Sequence, residues 1–203
     1  MSDPIITQWV NAAIDGDQDA FAELVYTFQD AVYNLCYRIL GDGAEAEDAA
    51  QEAFLRAYSN LKRYDQDRPF KTWLLSIASN HCIDRLRKRR GVQISIDEPI
   101  PATLSLASDD PQPEQVALNN ERSRRIQAML NDLAPDYRTA VVLRYWYDYS
   151  YVEIAQMLDT TESAIKSRLF RARQMLAEML GEVPDRPSTS ARGLGNRLVE
   201  EGI

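Results

Sequence analysis

Asp48, Gln51, Glu52 and Leu55 recur at helical spacing within "AEAEDAAQEAFLRAYSNL", residues 44–61. At about 100° per residue these four share one face. Acids interrupted by a leucine suit docking on a protein surface that offers basic side chains. A solvated face with one stray leucine has the same pattern, because single exposed apolar residues are common. Ala50, Ala53, Phe54, Ala57, Tyr58 and Leu61 fall on the opposite face, which is expected to be core.

A second set lies in "FKTWLLSIASNHCIDRLRKRR", residues 70–90. Leu74, Leu75, Ala78, Cys82 and Leu86 should face inward together. Trp73, Ile77, Asn80, Asp84, Arg87 and Lys88 line the other side, with Arg85 in the same basic run. An indole beside an amide and a cluster of cations can stack on an unpaired base while Lys and Arg hold phosphates. Just upstream, "KRYDQDRPF" (62–70) reads as a turn whose aromatics, Tyr64 and Phe70, could hold an extruded base. The alternatives are an ordinary core tryptophan and a solvated helix end favoured by the macrodipole. His81 and Cys82 read as packing residues rather than ligands.

The third set is in "SYVEIAQMLDTTESAIKSRLFRA", residues 150–172. Ser150 and Glu153 have capping-box spacing. Ile154, Ala155 and Leu158 face inward, and the small Ala155 permits close approach of a second helix. Asp159 can take a left-handed turn conformation, and Thr160 or Thr161 can cap the next helix. That helix buries Ile165, Leu169, Ala172 and Leu176. It presents Ser163, Lys166, Ser167, Phe170, Arg171 and Gln174 outward. A major-groove recognition helix needs this mixture: cations for phosphates or guanine edges, polar groups for base edges, and an apolar group for the thymine methyl. The alternative is a helical hairpin with a basic face.

These sets need helices to position them. Strand-length alternation is nearly absent, while i, i+3, i+4 apolar patterns recur. Helices are expected over roughly 5–15, 18–40, 44–62, 70–90, 116–132, 136–147, 151–158 and 162–179. The fold class is all-α, with two small helical domains joined by an extended acidic linker. The expected divisions are 1–93, a linker at 94–117, 118–180, and a loose tail at 181–203. No Lys or Arg occurs between 94 and 120, where Pro99, Pro101, Pro111 and Pro113 stand among acids. The formal net charge of -8 argues against indiscriminate coating of nucleic acid. No apolar run reaches the ~18–20 residues that span a membrane, and no secretory signal is evident at the start. Cys36, Cys82 and the single His81 lack metal spacing. No glycine loop for nucleotides is present. The expectation is a cytoplasmic protein without cofactor, membrane insertion or enzymatic activity.

In order and spacing, "DAAQEAFLRAY", "FKTWLLSIASNHCIDRLR", "LAPDYRTAVVLRYWYDYSYVEIAQML" and "AIKSRLFRAR" resemble the extracytoplasmic-function group of bacterial sigma factors in the sigma-70 family. The resemblance covers about residues 8–180. It implies a subunit that gives RNA polymerase core (β′ and β subunits) its promoter specificity. By resemblance, Asp48, Gln51, Glu52 and Leu55 dock on the β′ coiled coil. Tyr64 through Phe70 lie near the melted minus-ten element, which Trp73, Ile77, Asn80, Asp84, Arg85, Arg87 and Lys88 read and hold. Arg144, Ser163, Lys166, Ser167, Phe170 and Arg171 face the minus-thirty-five duplex. The linker would thread the polymerase cleft, and an anti-sigma factor is an expected partner. Many members have Gly-Thr-Val where this chain has Ser163-Ala164-Ile165. The competing reading is a free-standing helix-turn-helix regulator binding an operator as a dimer. That reading leaves residues 44–61 and 70–90 without a task.

Overall fold

Aspartates open the first three helices in the computed structural model, which describes residues 3–93 and 113–181. In α1 (Pro4–Ile14), Asp3 accepts the Ile5 N–H, and Pro4 supplies a preset φ at the first position. In α2 (Gln18–Leu40), Asp17 accepts the N–H groups of Asp19 and Ala20. That helix stops at Gly41, whose φ of 79° places it in the left-handed region that glycine adopts without strain. Asp42 then caps α3 (Gly43–Asn60) through the Glu45 N–H at 2.9 Å. A 3₁₀ turn over Leu61–Arg63 follows, and then α4 (Phe70–Gln93).

The chain divides into two compact units, residues 1–88 and 89–203. In the first, α2 packs on α1 and α3. Its interior joins Leu24, Val32, Leu35 and Ile39 of α2 to Ala46, Ala49, Ala53 and Ala57 of α3, and to Leu74, Leu75 and Ala78 of α4. The alanine face of α3 lets α2 approach closely, since nothing longer than a methyl group intervenes. The inward set expected for α4 (Leu74, Leu75, Ala78, Cys82 and Leu86) is buried throughout.

The second unit holds α5 (Pro113–Asp132), α6 (Pro135–Tyr145), α7 (Tyr151–Met157) and α8 (Glu162–Met179). Four consecutive residues of α6, Ala140 to Leu143, are buried. Burial on every side of that turn makes α6 central to the unit, and it packs on both α7 and α8. Arg138 is only 5% exposed. It donates to the Asn131 carbonyl at 2.5 Å and to Asn131 Oδ1 at 3.2 Å. A buried cation thus satisfies a carbonyl at the end of α5, where no helical partner remains. α5 begins at Pro113, earlier than the expected 116 and inside the expected linker at 94–117. The rest of that linker, 94–112, and the tail from 182 lie outside the described residues.

Candidate polymerase-docking and nucleic-acid interfaces

On α3, Asp48, Gln51 and Leu55 are exposed and Glu52 is half-exposed, so the four expected residues share a solvent face. Leu55 is 63% exposed. Glu52 Oε1 accepts Arg56 Nε at 2.6 Å, and this bond pulls the Glu52 carboxyl below its ordinary range. Asp48 lies 3.9 Å from Arg85 of α4. A groove of about 540 Å³ adjoins the stripe, lined by Gln18, Phe21 and Val25 of α2 and by Gln51, Phe54, Leu55 and Tyr58 of α3. Phe54 and Tyr58 were expected in the core. Phe54 is half-buried instead, and Tyr58 is 43% exposed. Both sit at the flank of the alanine face, about 80–120° from its centre at 100° per residue. There they meet the rim of α2: the Tyr58 and Phe21 rings touch edge to face at 4.8 Å.

The loop before α4 is organised by its aromatics. Tyr64 is half-buried, and its hydroxyl donates to the Arg68 carbonyl. Its ring lies 4.9 Å from Trp73 and 5.6 Å from Phe70. Burial and the nearby Asp65 push the Tyr64 phenol above its ordinary value. Phe70 was expected beside an extruded base. It is 3% exposed and packs on Phe28 and Trp73, so no ring face is open to DNA. As the first residue of α4, Phe70 is turned inward by the same helical register that buries Leu74. Trp73 and Ile77 are half-buried, while Asn80, Asp84, Arg87 and Lys88 are exposed. Arg85 is half-buried against Asp48, which places the acidic stripe and the basic helix side by side. His81 of α4 feels the charges of Arg56 and Glu52 on α3. Its Nε2 is buried without a hydrogen bond, and burial, then the Arg56 charge, pushes the imidazole pKa down.

Two residues distant in the sequence meet beneath this surface. Cys36 of α2 and Cys82 of α4 are both fully buried free cysteines whose thiols neighbour one another. The neighbouring Cys36 thiol and burial push the Cys82 thiol above its ordinary value, which favours the protonated form. Sequence reading placed the two far apart. Only the inward registers of α2 and α4, taken together, signal their meeting.

In the second unit the helix-turn-helix forms from α7 and α8. Ser150 and Glu153 make the reciprocal capping box. Asp159 takes φ 46° in the turn, and Thr161 caps α8 through the Ala164 N–H at 3.1 Å. Ile165, Leu169, Ala172 and Leu176 are buried. Ser163, Lys166, Ser167, Phe170, Arg171 and Gln174 lie on the exposed face, with Phe170 44% exposed. Lys166 pairs with Glu162 at 2.7 Å. Arg144 was expected to face DNA. It is half-buried, donates to the Tyr149 carbonyl at 3.0 Å and lies 5.6 Å from the Tyr151 ring. Its guanidinium therefore braces the α6–α7 turn, where Asp148 is left-handed. Arg173, which the sequence did not single out, is half-buried and reaches Tyr145 Oη at 3.5 Å.

A helical unit with an acidic, leucine-bearing stripe beside a basic aromatic helix, and another ending in a helix-turn-helix, describe the class: a helical transcription protein. Family models agree in detail. Sigma-70 region 2 matches residues 24–92, and Sigma-70, region 4 matches residues 123–176. The ECF RNA polymerase sigma factor SigW of Bacillus subtilis is 39% identical over 173 residues, covering 83% of this chain and 92% of that protein. The ECF RNA polymerase sigma-E factor of Escherichia coli is 32% identical over 166 residues, covering 79% of this chain and 86% of that one. Among solved structures, CnrH in complex with the cytosolic domain of CnrY has a TM-score of 0.62 at 25% identity, covering 87% of this chain and 97% of that one. RpoE of Bartonella quintana, solved with the anti-sigma factor NepR, shares the fold at a TM-score of 0.62 and 23% identity, covering 82% of this chain and 98% of that one. The chain belongs to the extracytoplasmic-function RNA polymerase sigma factors of the sigma-70 family. Its function is transcription initiation with RNA polymerase at promoters, and its family consists of initiation factors rather than enzymes. No helix among the described residues is long and apolar enough to cross a membrane.

Proposed function

We propose that this sigma factor divides its work among three surfaces and supplies no catalytic group of its own. The stripe Asp48, Gln51, Glu52 and Leu55 docks on the β′ subunit. Trp73, Ile77, Asn80, Asp84, Arg87 and Lys88 contact the melted minus-ten element. Arg85 contributes to that surface on leaving Asp48. Tyr64 and Phe70 act behind it by shaping the loop and backing Trp73. Ser163, Lys166, Ser167, Phe170 and Arg171 contact the minus-thirty-five duplex, with Arg144 bracing the turn from behind. The observation that carries this reading is Phe170: a large apolar side chain 44% exposed in the middle of a basic face. A burial partner outside the chain explains it, and the Lys and Arg around it suit a polyanion.

The site of action is the cytoplasm, where polymerase works. An anti-sigma protein is a fitting regulator, because the exposed surfaces are those that polymerase would need. The complex of the relative CnrH with the cytosolic domain of CnrY supports a protein partner of this kind.

Reconstituted transcription tests the division. Lys166→Ala with Arg171→Ala should lower transcription that depends on the minus-thirty-five element and leave core binding intact. Gln51→Ala with Glu52→Ala should instead lower core affinity. If both pairs depress both readouts equally, the assignment of surfaces is wrong.

A further inference from the structure

We propose that Tyr137 is a positioning residue for Arg171, holding its guanidinium in one orientation on the exposed face of α8. The inference rests on reading that face as the one that meets the minus-thirty-five duplex. Arg171 Nη1 donates to the Tyr137 hydroxyl at 3.3 Å, although 34 positions separate them. Tyr137 is half-buried in the first turn of α6. Its neighbour Asp136 holds Arg168 of α8 at 3.5 Å, and both of those side chains are mostly covered, at 28% and 24% exposed. Pro135, the first residue of α6, is buried and has a fixed φ. The first turn of α6 is therefore fixed to α8 beside Arg171, and the phenol arrives from a rigid base.

The chemistry of the partner matters. Lys166 is held by the Glu162 carboxylate, which orients the ammonium but also offsets its charge. A phenol is neutral. It engages one of the five guanidinium N–H donors and leaves the others, with the whole positive charge, for a phosphate or a guanine edge. An arginine already restrained also loses less side-chain freedom when it meets DNA.

The test is a double-mutant cycle on the full chain assembled with polymerase core. The probe is a promoter fragment that the wild-type complex selects from a library randomised at the minus-thirty-five element. Tyr137→Phe keeps the ring and should leave the thermal midpoint unchanged. It should weaken fragment binding by about three- to tenfold, the range expected when one restrained side chain is set free. In the Arg171→Ala background it should weaken binding no further, because the group it positions is gone. Equal losses in both backgrounds would mean that Tyr137 acts independently of Arg171, and would overturn the proposal. So would a Tyr137→Phe protein that binds like wild type while Arg171→Ala is impaired, although the reading of α8 would then stand. If Arg171→Ala itself binds the selected fragment normally, that reading fails and the proposal falls with it.

Discussion

Phe170 and Leu169 are adjacent and have opposite fates. Leu169 is fully buried among the helices of the second unit, while Phe170 is 44% exposed. Truncating a buried leucine leaves a cavity and costs about 2–5 kcal/mol. Truncating an exposed phenylalanine removes little contact within the chain. Leu169→Ala should therefore lower the denaturation midpoint sharply, and Phe170→Ala should barely move it while weakening promoter binding. A denaturation series beside a promoter-binding assay checks both. His81 gives a pH prediction at the same scale. Burial, and then the Arg56 charge, lower its folded-state pKa below the ordinary 6.5. The unfolded chain then binds more protons, so acid favours unfolding. The contribution of His81 is complete above about pH 6.5 and declines as the pH falls below that value. Thermal midpoints at about pH 7.5 and 5.5 should fall less in His81→Gln than in the wild type. Equal slopes in the two proteins would exclude His81 as a source of the acid sensitivity.

At the scale of elements, the helix-turn-helix depends on local chemistry at its ends. α7 has only 7 residues, far fewer than the ~12–15 at which an isolated helix becomes even marginal in water. The capping box and the packing of Ile154 and Ala155 must hold it. Ser150→Ala removes the acceptor for the Glu153 N–H at 3.2 Å and should cost about 1 kcal/mol. Asp159→Gly should be nearly neutral, because φ 46° at that position suits glycine at least as well. Chemical denaturation monitored by helical circular dichroism separates the two. The same reasoning explains Arg144. Its position near the end of α6 points it at the carbonyl of Tyr149, so a local structural contact engages a cation that the family resemblance assigns to DNA.

At the scale of the whole molecule, charge and modularity govern behaviour. A net charge of -8 opposes phosphate at a distance, and each reading surface is small. Binding of two such modules to one promoter becomes effectively intramolecular once polymerase holds both, which raises affinity by about 10²–10⁴ without new contacts. The chain alone should bind a promoter fragment at least about a hundredfold more weakly than the chain with core. Titration of labelled fragment in the presence and absence of core measures the ratio. Tight binding by the chain alone would speak against this division of labour.

Helices and their inward faces were legible in the sequence, because apolar spacing and capping residues act within a few positions of one another. Ser150 and Thr161 cap where they stand, and the inward sets Leu74, Leu75, Ala78, Cys82, Leu86 and Ile165, Leu169, Ala172, Leu176 bury as their period requires. The outward face of α8, with Phe170 upon it, follows from that same period. Tertiary structure alone decided what helices do to each other's side chains. It buried Phe70 beneath Trp73, opened Tyr58 to the groove beside Phe21, and brought Cys36 to Cys82. It also turned Arg144 to a turn carbonyl and set Tyr137 against Arg171. Helical period fixes the direction of a side chain around its own axis. Which neighbour waits there depends on the packing of segments distant along the chain.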